Sequence, residues 1–189
     1  MKTILKSMKM SKYKIPGDKI NIFEDIIQKY EALNAPSLGS ECDEEFSIAM
    51  EKHLTKEQRF RLFEQNGSCK GTSSDKERNA FAFEHAGKTL AERLEIFNKV
   101  SGRNAVLNEK DNTITFNFAC THGYYKRVNE GKYLSLPKSI KSYFERCAGG
   151  RLYGYEKALG IKLKIKSVDI SPLKKNMKNP VVFTFEIIK

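Results

Sequence analysis

The sequence has no Trp, only three His and four Cys, and little of the punctuation that marks fibrous or unstructured chains, with 12 Gly and 5 Pro in 189 residues. So few glycines and prolines exclude a collagen-like or low-complexity chain. No apolar run approaches the roughly 18 residues that a membrane-spanning helix needs. The first ten residues are interrupted by Lys2, Lys6 and Lys9, which leaves no signal-peptide core. No membrane partner is expected, and the cytoplasm is the expected location. What is present is 40% hydrophobic and 11% aromatic, enough for one domain with its own core and short for two.

The net charge of +11 arises from 34 basic and 23 acidic residues. It sits at the two ends: residues 1–20 carry six Lys and one Asp, and residues 157–189 carry eight Lys and two acids. The middle is neutral. A nucleic-acid binder needs a contiguous basic surface that displaces counterions from phosphates. A neutral body with two basic ends supplies one only if the ends meet, which disfavours nucleic acid as a partner.

Cys42, Cys69, Cys120 and Cys147 are spaced by 27, 51 and 27 residues. Zinc ligands usually come in close pairs, because two ligands on one turn lose little entropy on binding. No such pair exists, which argues against a site built from Cys120, His122 and Cys147. Without a secretory signal, free thiols are the expected state. Neither a metal nor another cofactor is expected.

Residues 1–17 read as a basic, flexible or loosely docked arm closed by Pro16-Gly17. The rest, 18–189, reads as a single α+β domain, with N-terminal helices followed by an antiparallel ββαββ sheet unit. Asp18 can cap a helix to about residue 33, and residues 34–40 read as a linker. A helix over 43–52 follows. Thr55-Lys56-Glu57-Gln58 is a capping-box sequence, and Ser74-Asp75-Lys76-Glu77 repeats the device. A helix over 89–100 ends at Gly102. Strands are expected at 105–107, 113–120, 162–166 and 181–188. Between the strand pairs lie a long polar connection, a short helix over 139–144, and a second helix that begins after Gly149-Gly150 and ends at Leu159.

Strand alternation places Ile114, Phe116, Phe118, Cys120 and His122 on one face. The large apolar members must bury, so the thiol and the imidazole are expected inside, close enough to interact. An imidazole beside a thiol favours the reactive thiolate. The bland alternative is a small hydrophobe with a hydrogen-bonded His beside it. Glu156 falls on the apolar stripe of its helix with Leu152 and Leu159, which suits a general acid or an ion pair with Arg146 or Arg151. Cys147, just ahead of Gly149-Gly150, would bring a second thiol to a helix N-terminus. Cys69 lies in a Gly-flanked loop, reactive or simply exposed. Tyr124, Tyr143 and Tyr155 belong to an aromatic group that either lines a pocket or packs a core.

Several segments carry a resemblance to known proteins. They are Asn66-Gly67-Ser68-Cys69, Cys120-Thr121-His122-Gly123, Cys147-Ala148-Gly149-Gly150, Tyr155-Glu156-Lys157-Ala158-Leu159-Gly160 and Phe183-Thr184-Phe185-Glu186-Ile187. From about Leu54 onward this layout resembles a group of bacterial proteins related to L-2-amino-thiazoline-4-carboxylate hydrolase and to the 4-vinyl-reductase-type ligand-binding domains. Thr or Val stands where that group's last Cys is expected, and His122 replaces another of its Cys, departures that weigh against a metal or cluster site. The resemblance implies an α+β domain with an enclosed pocket.

The leading expectation is therefore a cytoplasmic small-molecule-binding domain. Its enzymatic form would be hydrolysis of a C–N bond in an amidine- or amide-like substrate, with Cys120, His122 and Glu156 catalytic. Cys69, Tyr124, Cys147, Arg151 and Tyr155 would contact the ligand. The alternatives are a non-catalytic ligand sensor and a basic interaction or nucleic-acid-binding module. Whether the chain catalyses anything, and whether it forms a homodimer, stay open at this point.

Overall fold

The structure is a computed structural model that describes residues 1–33, 39–120 and 122–188. The linker expected at 34–40 lies outside these residues for 34–38, as does Thr121 within the Cys120–His122 segment. Helices outweigh strands, 59% against 14%, yet the four strands form one antiparallel sheet, so the fold is α+β.

The N-terminal half is helical: α1 (Lys2–Met8), α2 (Gly17–Ala32), α3 (Gly39–His53), α4 (Lys56–Asn66), α5 (Asp75–Glu84) and α6 (Leu90–Ser101). The expected loose arm is corrected here. Ile4, Ser7 and Met8 recur at helical spacing and are buried, as is Tyr13 at the end of a short 3-10 turn. The lysines that obscure this pattern stay on the outer side: Lys2, Lys6 and Lys9 are not buried, while Ser7 bonds Asn66 of α4. The stripe is legible only once the three apolar or small positions Ile4, Ser7 and Met8 are weighed against the three lysines around them.

Thr55 caps α4 with a complete capping box through Gln58, and Thr89 does the same for α6 through Glu92. Ser74 does not repeat the device. It ends a 3-10 turn (Thr72–Ser74) with φ −95° and ψ 14°, and its side chain makes no cap bond. A cap needs extended backbone to aim the hydroxyl at the first free N–H groups, and the preceding turn denies it that.

The second half comprises β1 (Val106–Asn108), β2 (Thr113–Phe118), α7 (Gly123–Asn129), α8 (Ile140–Leu159), β3 (Lys162–Asp169), α9 (Ser171–Lys175) and β4 (Val181–Ile188), with sheet order β1-β2-β4-β3. Two helices expected around Gly149-Gly150 are one, α8, with both glycines in its interior. Glycine there costs helix stability, but packing decides. A Cβ on Gly149 would collide with the Phe63 carbonyl, and one on Gly150 with that of Ser68. The glycines let α4 and the loop after it lie directly on α8. Helix α7 stands within what reads as a long polar connection in the sequence, and α9, with Pro172 in its first turn, within the segment between the last two strands.

Two clusters of buried apolar residues result. One joins the inner sheet face (Ile114, Phe116, Phe183, Phe185) to α8 through Tyr155 and Leu159. The other joins α1 to α4 through Met8, Phe23, Phe46 and Leu62. Helix α4 contributes to both, with Phe60 in the first and Phe63 in the second. At this junction Arg59 and Glu145 of α8, only 3% and 1% exposed, form a two-bonded ion pair at 2.7 and 2.9 Å. The remaining Arg59 nitrogen donates to the Leu54 carbonyl at 2.9 Å, so every strong polar contact of this buried pair is completed.

Candidate functional site

The sheet is incomplete along β2. Strand β1 pairs only with residues 113–115, through Val106↔Thr115, Leu107↔Ile114 and Asn108↔Thr113, while β4 pairs with all six residues of β2. Phe116, Asn117 and Phe118 therefore have a strand on one side alone. The chain that would continue β1 is diverted by the end of α6. Gly102 takes φ +62° as the C-terminal cap, a left-handed conformation that suits glycine. The Asn98 side chain then clamps the segment by bonding both the N–H and the carbonyl of Ala105, at 3.1 and 2.7 Å.

The space left between this turn and β2 is a cleft of about 500 Å³, lined by residues 101–104 and 116–120 with Arg151 and Pro180. Its aromatic floor is Phe116 and Phe118. Its charged residues are Arg103 and Arg151, with no carboxylate among the lining. The Arg103 guanidinium stacks 5.0 Å over the rings of Phe97 and Tyr155, and that of Arg151 lies 5.2 Å over Phe118. Tyr155, one turn after Arg151 on α8, is wholly buried beneath them.

The electrostatics of this group are unbalanced. Arg103 is pushed below its ordinary value, first by burial and then by the charges of Arg151 and Arg78, with Tyr155 opposing. The Tyr155 phenol is pushed up by burial, against the pull of Arg103 and Arg151. These two attract one another, but their approach falls short of hydrogen-bond geometry. Arg103 Nη1 and Tyr155 Oη are both buried without a hydrogen-bond partner among the described residues. Arg78 is paired with Asp75 at 3.2 Å. Among the described residues neither Arg103 nor Arg151 has a carboxylate within ion-pair distance, unlike Arg59 and Arg146.

Cys120 and Arg151 line the cleft, and Tyr155 lies under it. Cys120 and Cys69 both lie within electrostatic reach of Cys147 on α8, Tyr124 packs on Tyr143 and Phe144 in the first turns of that helix, and Glu156 is set apart at β3. The strand parity holds through Phe118, where β2 stops, and the expected inward position of His122 is corrected. Its side chain is exposed, and its backbone supplies the cap position of α7. Half-buried Cys120 donates from its thiol to the His122 carbonyl at 3.0 Å.

Cys147 is in the interior of α8, away from any helix N-terminus. Burial above all pushes its thiol up to about 12, with Cys120 and Cys69 adding to the shift. It therefore stays protonated at neutral pH and behaves as a small apolar side chain. Ser68 Oγ lies 3.9 Å from its sulfur, and the Tyr143 hydroxyl accepts the Tyr124 N–H at 3.1 Å. The Tyr124 hydroxyl is spent on the Met177 carbonyl at 3.2 Å. Cys69 is exposed, with φ +56° in the loop over α8. Among the described residues no group of three or more His, Cys, Asp or Glu is placed to hold a metal ion.

Glu156 serves the backbone. It accepts the Leu163 N–H at 2.9 Å, and Glu64 of α4 accepts the Ile165 N–H at 2.7 Å. Both donors belong to β3, the edge strand, so the two carboxylates cover an otherwise open edge. Nine residues of helix, a rise of about 13.5 Å, separate Glu156 from Cys147.

Sequence reasoning missed Arg103, Asn104 and the interrupted pairing of β2. The available signal was Gly102-Arg103-Asn104, a cap glycine followed by polar side chains. No periodicity says which strand such a turn will face. No family model, curated protein or solved structure matches the chain, so the functional argument rests on the chemistry of the cleft.

Proposed function

We propose that this protein binds a small molecule in the cleft between the C-terminal turn of α6 and β2. The observation that carries the reading is the combination of an aromatic floor with two guanidiniums that no carboxylate among the described residues answers. Ligand sites are concave, mostly apolar, and oriented by a few convergent polar groups. Ser101, Asn104 and Asn117 add such groups at the rim.

Binding without turnover is the form the local chemistry supports best. Cleavage of a C–N bond would need a thiolate at Cys120 and a base beside it. That thiol instead donates to a carbonyl, and the imidazole of His122 is exposed. The four cysteines are unpaired, which fits a reducing compartment, and we place the protein in the cytoplasm. No helix among the described residues is long and apolar enough to cross a membrane.

A ligand-observed NMR screen of small aromatic fragments tests the reading, with Ala119→Trp as the control. Ala119 lines the cleft and is exposed, so the indole fills the space with little demand on the core. Fragments that bind the native protein should lose their signal with this variant at unchanged melting temperature. Equal binding to both proteins, or no binding to either, contradicts the proposal.

A further inference from the structure

We infer that the ligand of this cleft is an organic phosphate monoester, held by Arg103 and Arg151 at its phosphate and by Phe116 and Phe118 at its apolar body. The inference rests on the binding reading above and names the ligand's chemistry.

Charge comes first. Three guanidiniums, Arg78, Arg103 and Arg151, are close enough to interact electrostatically, and among the described residues only Arg78 has a carboxylate partner. The local excess is two positive charges on partly buried side chains. Like charges in a site of reduced dielectric repel more strongly than in water, and nothing among the lining residues offsets them. A phosphate monoester carries close to two negative charges at neutral pH, so it cancels the excess, whereas a monocarboxylate leaves half of it.

Geometry comes second. Guanidinium groups recognise phosphate through paired, charge-assisted N–H bonds. Both are already oriented, Arg103 by its place 5.0 Å from the ring centroids of both Phe97 and Tyr155 and Arg151 by its place over Phe118. Arg103 follows a rigid cap, and Arg151 projects from the interior of α8, so little freedom is lost on binding. Size comes third. About 500 Å³ with an aromatic floor is far more than an inorganic phosphate fills, so the anion should carry a ring-sized body.

Isothermal titration with four probes tests this: phenyl phosphate, benzoate, inorganic phosphate and benzyl alcohol. Phenyl phosphate should bind at least tenfold more tightly than each of the others, and less tightly as salt rises. Arg151→Gln and Arg103→Gln should each weaken it tenfold or more, while Lys164→Gln on the outer sheet face should leave it unchanged. Arg151 is the decisive position if Arg103→Gln fails to fold. Benzyl alcohol binding as tightly as phenyl phosphate would overturn the inference and leave the cleft as a neutral-ligand site. Phenyl phosphate binding that survives both Arg substitutions but falls with Lys164→Gln would overturn it in favour of the basic surface. No binding by any probe would remove the cleft reading and this inference together.

Discussion

Arg59 and Arg103 are the same residue in two kinds of burial. Arg59 meets Glu145 through two bonds and Leu54 through a third, at the junction of α4 and α8. Arg103 meets aromatic rings and other cations, and its Nη1 has no hydrogen-bond partner among the described residues. The fold satisfies one guanidinium completely and, 44 residues along the chain, leaves Arg103 without a carboxylate among the described residues. The first arrangement needs no visitor, and on the proposed reading the second is completed by one.

The comparison breaks most visibly at the paired site. Glu145→Ala leaves Arg59 buried without its carboxylate and should lower stability by about 3–5 kcal/mol, and Arg59→Met should do much the same by stranding Glu145. Urea denaturation measures both. A loss under about 1 kcal/mol would mean that the junction tolerates an unpaired charge, and the contrast with Arg103 would then lose its force.

At the unpaired site the same chemical change should be nearly silent. Arg103→Met removes a desolvated charge while keeping apolar contact with Phe97 and Tyr155, so stability should stay within about 1 kcal/mol of the native protein. A loss comparable to that of Arg59→Met would show Arg103 to be a structural cation and would count against its role in recognition.

The smallest effect sharpens the comparison with an anion in place of a cation. Burial raises Glu64 above its ordinary 4.5, with Glu156 contributing in the same direction. The folded protein therefore holds this proton at pH values where the unfolded chain has released it. The contribution of Glu64 to stability is greatest at low pH and falls as pH rises from 4.5 through the raised folded value. Glu64→Gln keeps an acceptor for the Ile165 N–H and should remove that decline. Denaturation midpoints between about pH 4 and 8 decide it, and an unaltered slope would mean that Glu64 is already solvated.

How much of this was legible in the sequence follows from the range of the forces involved. The capping box at Thr55, the stop at Gly102 and the inward row Ile114-Phe116-Phe118 are local, set by neighbours within a turn or a strand, and they hold. The continuity of α8 through Gly149-Gly150 was not legible, because it depends on the close approach of residues 63 and 68 from another element. Glu156 reads as an acid on an apolar stripe, correctly placed but spent on the edge of β3. His122 fails the parity argument because β2 ends four residues before it. Cys120 and Arg151, both named from the sequence, line one cleft, a juxtaposition the sequence does not show, and Arg103 is invisible until the turn after α6 is set against β2.

The most direct test of the central claim follows the side-chain Nε–H signals of the arginines during a titration with phenyl phosphate. Arg103 and Arg151 should shift together and saturably, with the amides of Asn117 and Cys120, while Arg59 stays fixed. Shifts confined to lysine-rich surfaces, or an Arg59 signal moving as far as that of Arg103, would contradict the account.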